Sequence, residues 1–173
     1  MSAAFTEDRA AFVARFGGVF EHSPWIAEAA WDAGLPELPW TPEGLHAAMA
    51  AAMRAGSEAQ QRALIAAHPD LAGRLAQAGR LTAESTKEQA SAGLDLLSDA
   101  ERARFTELNE AYKATFGMPF IMAVKGRTKD EILAAFERRL VNDAAAEFAT
   151  ALAEIEKIAL LRLKDLLPMS VQS

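Results

Sequence analysis

The chain has 173 residues, no cysteine and a formal net charge of -6 at pH 7, and 51% of its residues are hydrophobic. This composition predicts one packed domain over residues 1–173, and it excludes thiol catalysis, thiolate metal sites and a broad basic surface for nucleic acid. No apolar run reaches the roughly 20 residues of a membrane helix, and the acidic start is unlike a secretory leader, so we expect a cytoplasmic protein without a membrane partner.

Capping residues and helix breakers divide the first half of the chain into short helices. Ser, Thr and Pro favour the starts of these helices, and Gly or a following Pro favours their ends. The fourth helix is expected to end near His68, because Pro69 disfavours a helical conformation for the residue before it. The predicted boundaries are Thr6 and Gly17, Ser23 and Gly34, Thr41 and Arg54, Ser57 and His68, and Pro69 and Ala78.

The second half of the chain repeats these signals and has one exception. Capping boxes, in which Glu follows a hydroxyl residue by three positions, begin three more helices, and regular apolar spacing indicates a last long helix. These elements start at Ser85, Ser98, Thr128 and Asp143, and the last one ends at Leu166. Gly117 to Val124 is apolar and interrupted by a proline, so we expect a buried extended segment there. The sequence therefore predicts an all-α bundle of seven to nine helices, with one buried extended segment near residues 118–125.

Few side chains outside the predicted core suggest chemistry. The sequence lacks a phosphate-binding loop, a nucleophile elbow and the paired histidines of helical metal centres, so a metal site is not favoured. We interpret His22 and His46 as structural or surface residues. His68 lies at a helix break, where its imidazole can be presented to a ligand instead of being buried in the bundle.

Two further polar residues have structural explanations beside functional ones. Glu88 completes a capping box with Ser85, which explains both residues by hydrogen bonds at a helix start. Arg162 lies among leucines of the last helix, where its side chain either extends outward to water or points its guanidinium into a site. The residues alone leave both alternatives open.

Five runs of sequence, in order along nearly the whole chain, resemble one enzyme family. They are Phe16–Trp25, Ala67–Gly73, Ser85–Gln89 with Gly93 and Leu94, Phe116–Ile121, and Lys157–Leu163. In these runs the chain resembles the 2-oxo-4-hydroxy-4-carboxy-5-ureidoimidazoline (OHCU) decarboxylases, which follow urate oxidation and hydroxyisourate hydrolysis. One run would be weak support, whereas five in this order make a specific signal.

The resemblance implies an activity and an assembly. It implies a carboxy-lyase of purine catabolism that needs no cofactor and converts OHCU, an anionic ureidoimidazoline, to (S)-allantoin. It also implies an all-helical homodimer. Residues 159–161 read Ala-Leu-Leu, where we expect a second basic residue before the arginine in many relatives, so the affinity for substrate can differ here.

The resemblance also implies roles for individual residues. His68 corresponds to the catalytic histidine, and Glu88 corresponds to the carboxylate that works with it. The implied substrate-binding residues are Pro69, Ser85, Thr86, Lys87, Gln89, Phe120, Ile121, Met122, Ala123, Val124 and Arg162. Two alternative functions are a non-catalytic helical module that binds a partner or acts as a scaffold in a ureide-pathway assembly, and a metal-dependent hydrolase.

Overall fold

The computed structural model describes residues 8–37, 39–68, 98–125 and 127–167. These ranges contain seven α-helices and no β-strand, which confirms the predicted all-helical class. The helices are α1 (Arg9–Phe16), α2 (Trp25–Ala33), α3 (Pro42–Ala55), α4 (Glu58–Ala67), α5 (Asp99–Phe116), α6 (Lys129–Leu140) and α7 (Ala144–Leu166). The helix predicted for residues 69–78 and the capping box at Ser85 lie outside the described residues. None of the seven helices is both long and apolar enough to span a bilayer.

The chain folds into two compact units. The first unit contains residues 1–67 and 156–173, and the second contains residues 68–155. Helix α7 belongs to the second unit up to Ile155 and to the first unit from Glu156 onwards. That residues 1–173 form one domain stays a prediction.

Aromatic packing around α1 forms the core of the first unit. The ring of Phe12 lies 5.5 Å from that of Trp31 and 5.4 Å from that of Trp40. Close packing of α2 near the end of α3 needs Gly56, because a Cβ added there would lie 2.7 Å from the Trp25 ring. Other fully buried side chains of this unit are Phe16, Ile26, Leu45, Met49, Met53 and Leu64. Burying one large apolar side chain of this kind contributes about 1.5 to 3 kcal/mol.

The core of the second unit forms between α5, α6 and the segment that joins them. Phe120 of this segment stacks on Phe136 of α6, with ring centroids 3.6 Å apart and ring planes 16° apart. The ring of Tyr112 on α5 meets Phe120 edge-on at 5.1 Å. Further buried members of this core are Phe105, Leu108, Met122, Val124, Ile132 and Ala135. The predicted segment near residues 118–125 is non-helical over residues 118–124, and its burial is confirmed for Phe120, Ile121, Met122 and Val124, whereas Lys125 is exposed.

Most of the predicted helix starts are confirmed by their capping hydrogen bonds. Thr41 Oγ1 accepts a hydrogen bond from the backbone N–H of Gly44 at 3.0 Å, at the start of α3. Ser98 and Glu101 form a reciprocal capping box at the start of α5. The same kind of box, with Gln in place of Glu, joins Ser57 and Gln60 before α4.

Two predicted helix starts are wrong. Helix α1 begins at Arg9 and not at Thr6, because Asp8 is extended and its carboxylate accepts a hydrogen bond from the backbone of the first turn at 2.8 Å. Ser23 does not cap α2, since its hydroxyl donates to the backbone oxygen of Glu21 at 3.0 Å and no side-chain hydrogen bond caps this helix. Short polar side chains near a helix start can form several local hydrogen bonds, so spacing alone does not decide which of them forms.

Candidate functional site

His68 is the first candidate residue that the structure describes. Helix α4 ends at Ala67, so His68 lies just outside the helix, as the following proline predicts. Its side chain differs from the expectation of an imidazole presented at an open turn, because only 2% of the residue is exposed. A buried imidazole is held away from bulk water, which is a common environment for a group that moves protons in a reaction.

The other predicted catalytic residue and most of the predicted polar contacts to substrate lie outside the described part of the chain. These residues are Glu88, Pro69, Ser85, Thr86, Lys87 and Gln89. Their predicted roles stay predictions, as does the juxtaposition of His68 with Glu88.

The segment Phe120–Val124 is described completely. Gly117 ends α5 in a left-handed conformation, with φ of 67°, and the described residues between it and α6 are not helical. Phe120, Ile121 and Val124 are at most 2% exposed, whereas Ala123 is half-buried. Two carbonyl groups of the segment have partners, because Ile121 O accepts from Arg139 Nη1 at 2.7 Å and Val124 O accepts from Arg127 N at 3.0 Å.

A buried polar network lies behind this segment in the second unit. Arg139 Nε donates to Glu147 Oε1 at 2.8 Å, and the hydroxyl of Tyr112 donates to the same oxygen at 2.6 Å. Asn142 Nδ2 donates to Glu147 Oε2 at 2.9 Å. Burial is the main reason that the pKa of Tyr112 is raised well above its ordinary value, so this phenol acts as a donor.

Sequence reasoning missed this network, although one signal for it was present. Arg139 follows Phe136 by three positions and Ile132 by seven, so helical periodicity places it on the buried face of α6. A charged residue on a buried face indicates a buried partner. The identity of that partner, Glu147, does not follow from this spacing.

Arg162, the predicted arginine of the substrate site, points inward. It is 2% exposed, so of the two alternatives the outward, solvated one is wrong. Its Nη1 atom lies 3.5 Å from Glu21 Oε2 and donates to the backbone oxygen of Val19 at 3.3 Å. Glu21, which is also 2% exposed, belongs to the sequence run Phe16–Trp25 but was given no role from the sequence.

The turn before α2 places Glu21 inside the first unit. His22 has a positive φ of 49°, which is uncommon for a residue other than glycine, and it is exposed while its neighbours Glu21 and Ser23 are buried. Gly17 is needed at the start of this turn, because a Cβ added there would lie 2.4 Å from the backbone oxygen of Val13. The turn therefore directs the carboxylate of Glu21 inward and the imidazole of His22 outward.

His46 is structural, in agreement with its interpretation from the sequence. It is half-buried, and its Nε2 atom lies 2.8 Å from the backbone oxygen of Glu156 in α7. Among the residues that the structure describes, no group of three or more histidine, aspartate or glutamate side chains is arranged to hold a metal ion.

Comparison with known proteins identifies one family. Residues 6–164 match the family described as OHCU decarboxylase. The 2-oxo-4-hydroxy-4-carboxy-5-ureidoimidazoline decarboxylase of Halalkalicoccus jeotgali is 43% identical over 160 residues, which cover 92% of this chain and 86% of that protein. The enzyme of the same name from Haloferax volcanii is 43% identical over 159 residues, which cover 91% of this chain and 90% of that protein.

Two solved structures are also similar to this chain. The crystal structure of an (S)-allantoin synthase superposes with a TM-score of 0.72 at 34% identity, and it covers 93% of this chain. This chain spans about half of that longer protein, at 51% of its length. The crystal structure of an OHCU decarboxylase in the presence of (S)-allantoin superposes with a TM-score of 0.61 at 23% identity, covering 82% of this chain and 89% of the other, and it supports the fold alone.

Proposed function

Because this chain belongs to the OHCU decarboxylase family, we propose that it is a carboxy-lyase that converts OHCU to (S)-allantoin in urate degradation. The observation that carries this proposal is the family match over residues 6–164, with relatives that match over most of both chains. The buried imidazole of His68, at a helix end inside one of the matching runs, supports a site built around this residue.

The chemistry of the substrate explains why the reaction can proceed on side chains alone. The bond between the ring carbon C4 and its carboxylate breaks, carbon dioxide leaves, and the bonding electron pair moves into the ring towards the adjacent C=N group. The ring nitrogen takes up a proton, the C4 hydroxyl loses its proton to become a carbonyl, and the prochiral carbon gains one. The substrate thus supplies the electron sink that a cofactor supplies in other decarboxylations.

In this proposal His68 moves at least one of these protons. An imidazole titrates near neutrality, so it can take the hydroxyl proton or deliver a proton to the prochiral carbon. Glu88 holds the imidazole in the required tautomer or shares the transfer. Delivery of the last proton from a fixed side gives a single enantiomer, whereas spontaneous decay in water gives both.

The remaining residues hold the substrate. In this proposal Pro69, Ser85, Thr86, Lys87 and Gln89 bind the substrate, and N–H groups of the helix start predicted at Ser85 donate to urea or carboxylate oxygens. The backbone of Phe120–Val124 pairs with the amides of the ring, which accounts for an extended segment in an otherwise helical protein. Arg162 binds an anionic group through its planar guanidinium. At a net charge of -6 the capture of an anion has to be local.

We also propose, from the family resemblance, that the protein works as a cytoplasmic homodimer without a bound cofactor. The small-molecule substrate is the only ligand that the proposed reaction requires. Neither nucleic acid nor a membrane has a part in it.

A pair of matched substitutions tests the proposed role of His68. His68→Gln keeps a polar side chain of similar length but removes the group that titrates near neutrality, so we expect the rate to fall by about 10² to 10⁴. The allantoin formed by this variant should be racemic. The measurement is circular dichroism of freshly generated OHCU during its conversion, with the melting curve of each variant recorded beside it.

His46→Gln is the control, because Gln can still hydrogen-bond to Glu156 O and His46 has no part in the proposed site. It should retain the rate and the handedness of the unsubstituted protein. Glu88→Gln adds a second test, since Gln still serves the predicted capping box while the carboxylate is lost. Normal, stereospecific turnover by His68→Gln would contradict the proposed role. No acceleration by the unsubstituted protein would contradict the proposed function itself.

A further inference from the structure

The segment from Phe120 to Val124 is mostly buried and belongs to neither a helix nor a strand. Its residues Phe120, Ile121 and Val124 are almost completely inaccessible, and the described residues contain no strand that could pair with it. A buried backbone of this kind needs hydrogen-bond partners, because each unsatisfied N–H or C=O group costs free energy. The partners therefore decide the path that the segment takes.

One side chain, Arg139, contacts two consecutive residues of the segment. Its Nη1 atom donates to Ile121 O at 2.7 Å, and its guanidinium carbon lies 4.3 Å from the centroid of the Phe120 ring. A planar guanidinium can hydrogen-bond at its edge and stack with its face, whereas the ammonium of a lysine cannot do both. Arg139 thus fixes a carbonyl and the neighbouring aromatic ring together.

Arg139 is itself held in one orientation. Its Nε atom donates to Glu147 Oε1, and this carboxylate also accepts from the Tyr112 hydroxyl and from Asn142 Nδ2, at distances between 2.6 and 2.9 Å. These partners come from α5, α7 and the turn before α7, whereas Arg139 itself belongs to α6. Arg139 is 4% exposed and Glu147 is fully buried, so water competes little for these bonds.

Met122 and Ala123, which follow Ile121, have backbone groups that can hydrogen-bond to a ligand. Ile121 O and Val124 O are occupied, whereas within the described ranges no hydrogen bond joins the backbone of Met122 or Ala123 to another residue. Ala123 is also the most accessible of these residues. The peptide groups around Ala123 are therefore the part of the segment that can bind a ligand.

We propose that Arg139 is a positioning residue for the decarboxylation: by fixing Ile121 O and the Phe120 ring, it sets where the backbone of Met122 and Ala123 meets the substrate. This inference rests on the proposed function, since it assumes that the segment binds OHCU. Glu147 and Tyr112 act one step further away, by fixing Arg139. None of these three residues touches the reacting atoms.

The test is Arg139→Lys, which keeps the positive charge beside Glu147 but loses the combination of hydrogen bond and stacking. A displacement of the peptide groups of Met122 and Ala123 by about 1 Å lowers kcat/KM by about 10- to 100-fold. We expect most of this loss in KM, with a lower enantiomeric excess of the allantoin. Amide hydrogen exchange of residues 120–124 should become faster, while exchange in α1 to α3 stays unchanged.

A second variant separates positioning from stability. Replacing the charged pair and the hydroxyl together, as Tyr112→Phe with Arg139→Met and Glu147→Leu, keeps a similar volume and leaves no buried charge unpaired. Ile121 O and Asn142 Nδ2 lose their partners, so a melting curve is recorded to show that the variant is folded. A merely structural network predicts normal KM in this folded variant, whereas the positioning role predicts the same loss as in Arg139→Lys. Arg104→Lys, at an exposed pair with Glu137, is the control and should behave as the unsubstituted protein.

The outcomes distinguish this inference from the proposed function. If the unsubstituted protein does not accelerate the reaction, the proposed function fails and the positioning role fails with it. If the unsubstituted protein is active and a folded Arg139 variant keeps its KM, its enantiomeric excess and its slow exchange in residues 120–124, the positioning role alone is overturned. Faster exchange together with a raised KM supports it.

Discussion

Each unit of the protein contains a buried pair of arginine and glutamate, and the two pairs differ in geometry. In the second unit, Arg139 Nε and Glu147 Oε1 are 2.8 Å apart, with side chains that are 5% and 0% exposed. In the first unit, Arg162 Nη1 and Glu21 Oε2 are 3.5 Å apart, with side chains that are 3% and 2% exposed. Both pairs are therefore buried, but only Arg139 and Glu147 have the short distance of a strong charge-assisted hydrogen bond.

The two arginines also differ in the distances to these protein partners. Both oxygens of Glu147 accept short hydrogen bonds, so this carboxylate and Arg139 are fixed, which suits the support of a backbone segment. The contacts of Arg162 with Glu21 and with Val19 O, at 3.5 and 3.3 Å, are long.

The largest effect that we predict on stability is that of Glu147→Gln. Gln keeps the shape but removes the charge, so Arg139 is left buried without a counter-charge. The NH2 group of Gln also faces groups that donate hydrogen bonds to the carboxylate in the unsubstituted protein. We expect the free energy of unfolding to fall by about 3 to 5 kcal/mol. Urea unfolding followed by circular dichroism measures this as a lower midpoint at an unchanged slope.

The matched control for this prediction uses an exposed carboxylate of the same unit. Glu137→Gln removes the partner of Arg104 at the surface, where both side chains are about half exposed, and the midpoint should hardly move. A loss for Glu147→Gln no larger than that of this control would mean that the short hydrogen bonds of Glu147 contribute little to stability.

The fold was predictable because its signals are local. Thr41, Ser98 and Asp143 mark helix starts through side chains that bond to amides three residues ahead, so short stretches of sequence contain both partners. The exceptions obey the same chemistry. Asp8 and not Thr6 precedes α1, because its carboxylate accepts the hydrogen bond from the first turn. The hydroxyl of Ser23 donates to Glu21 O, which is also a local hydrogen bond.

The candidate site was predictable only in part, because its partners are distant in sequence. The proline after His68 predicts the helix break, and an apolar run predicts the buried segment at Phe120. No pattern in the sequence indicates that Arg162 bonds to Val19 O, which lies 143 residues earlier. The same is true of Tyr112 and Glu147, 35 residues apart, since such pairs are chosen by helix packing.

Glu21→Gln should have a smaller effect than Glu147→Gln. The substitution is chemically the same, and the burial is the same, but the contact that it weakens is longer by 0.7 Å, from 2.8 to 3.5 Å. We expect a loss of about 1 to 3 kcal/mol in the free energy of unfolding. Urea unfolding of both variants under one set of conditions gives the comparison directly.

Glu28→Gln controls for the loss of a carboxylate near the start of the chain, because Glu28 is partly exposed and lies 3.8 Å from Arg9. It should be close to neutral. Equal losses for Glu21→Gln and Glu147→Gln would mean that the distance between guanidinium and carboxylate does not determine what a buried pair contributes to stability.

The smallest effect concerns a partly exposed carboxylate, Glu101, which extends the comparison to the protein surface. A hydrogen bond from Lys129, at 2.6 Å, and hydrogen bonds from Ser98 lower the pKa of Glu101 from 4.5 to about 2. The unfolded chain takes up this proton as the pH falls through about 4.5, and the folded chain takes it up only near 2. The stability that Glu101 contributes is therefore complete above about pH 4.5 and is lost as the pH falls towards 2.

Glu101→Gln should remove this pH dependence, because Gln retains the capping box with Ser98 but does not titrate. The unsubstituted protein should be the more stable of the two above about pH 5, and the difference should shrink as the pH is lowered towards 2. Lys129→Met should remove part of the effect, since the hydrogen bond from the backbone N–H of Ser98 to Glu101 Oε1 remains. A difference between the proteins that stays constant with pH would mean that the carboxylate acts as a cap alone. The charge of Glu101 would then contribute nothing to the free energy of unfolding, and only buried pairs such as Arg139 and Glu147 would stabilise the protein through their charges.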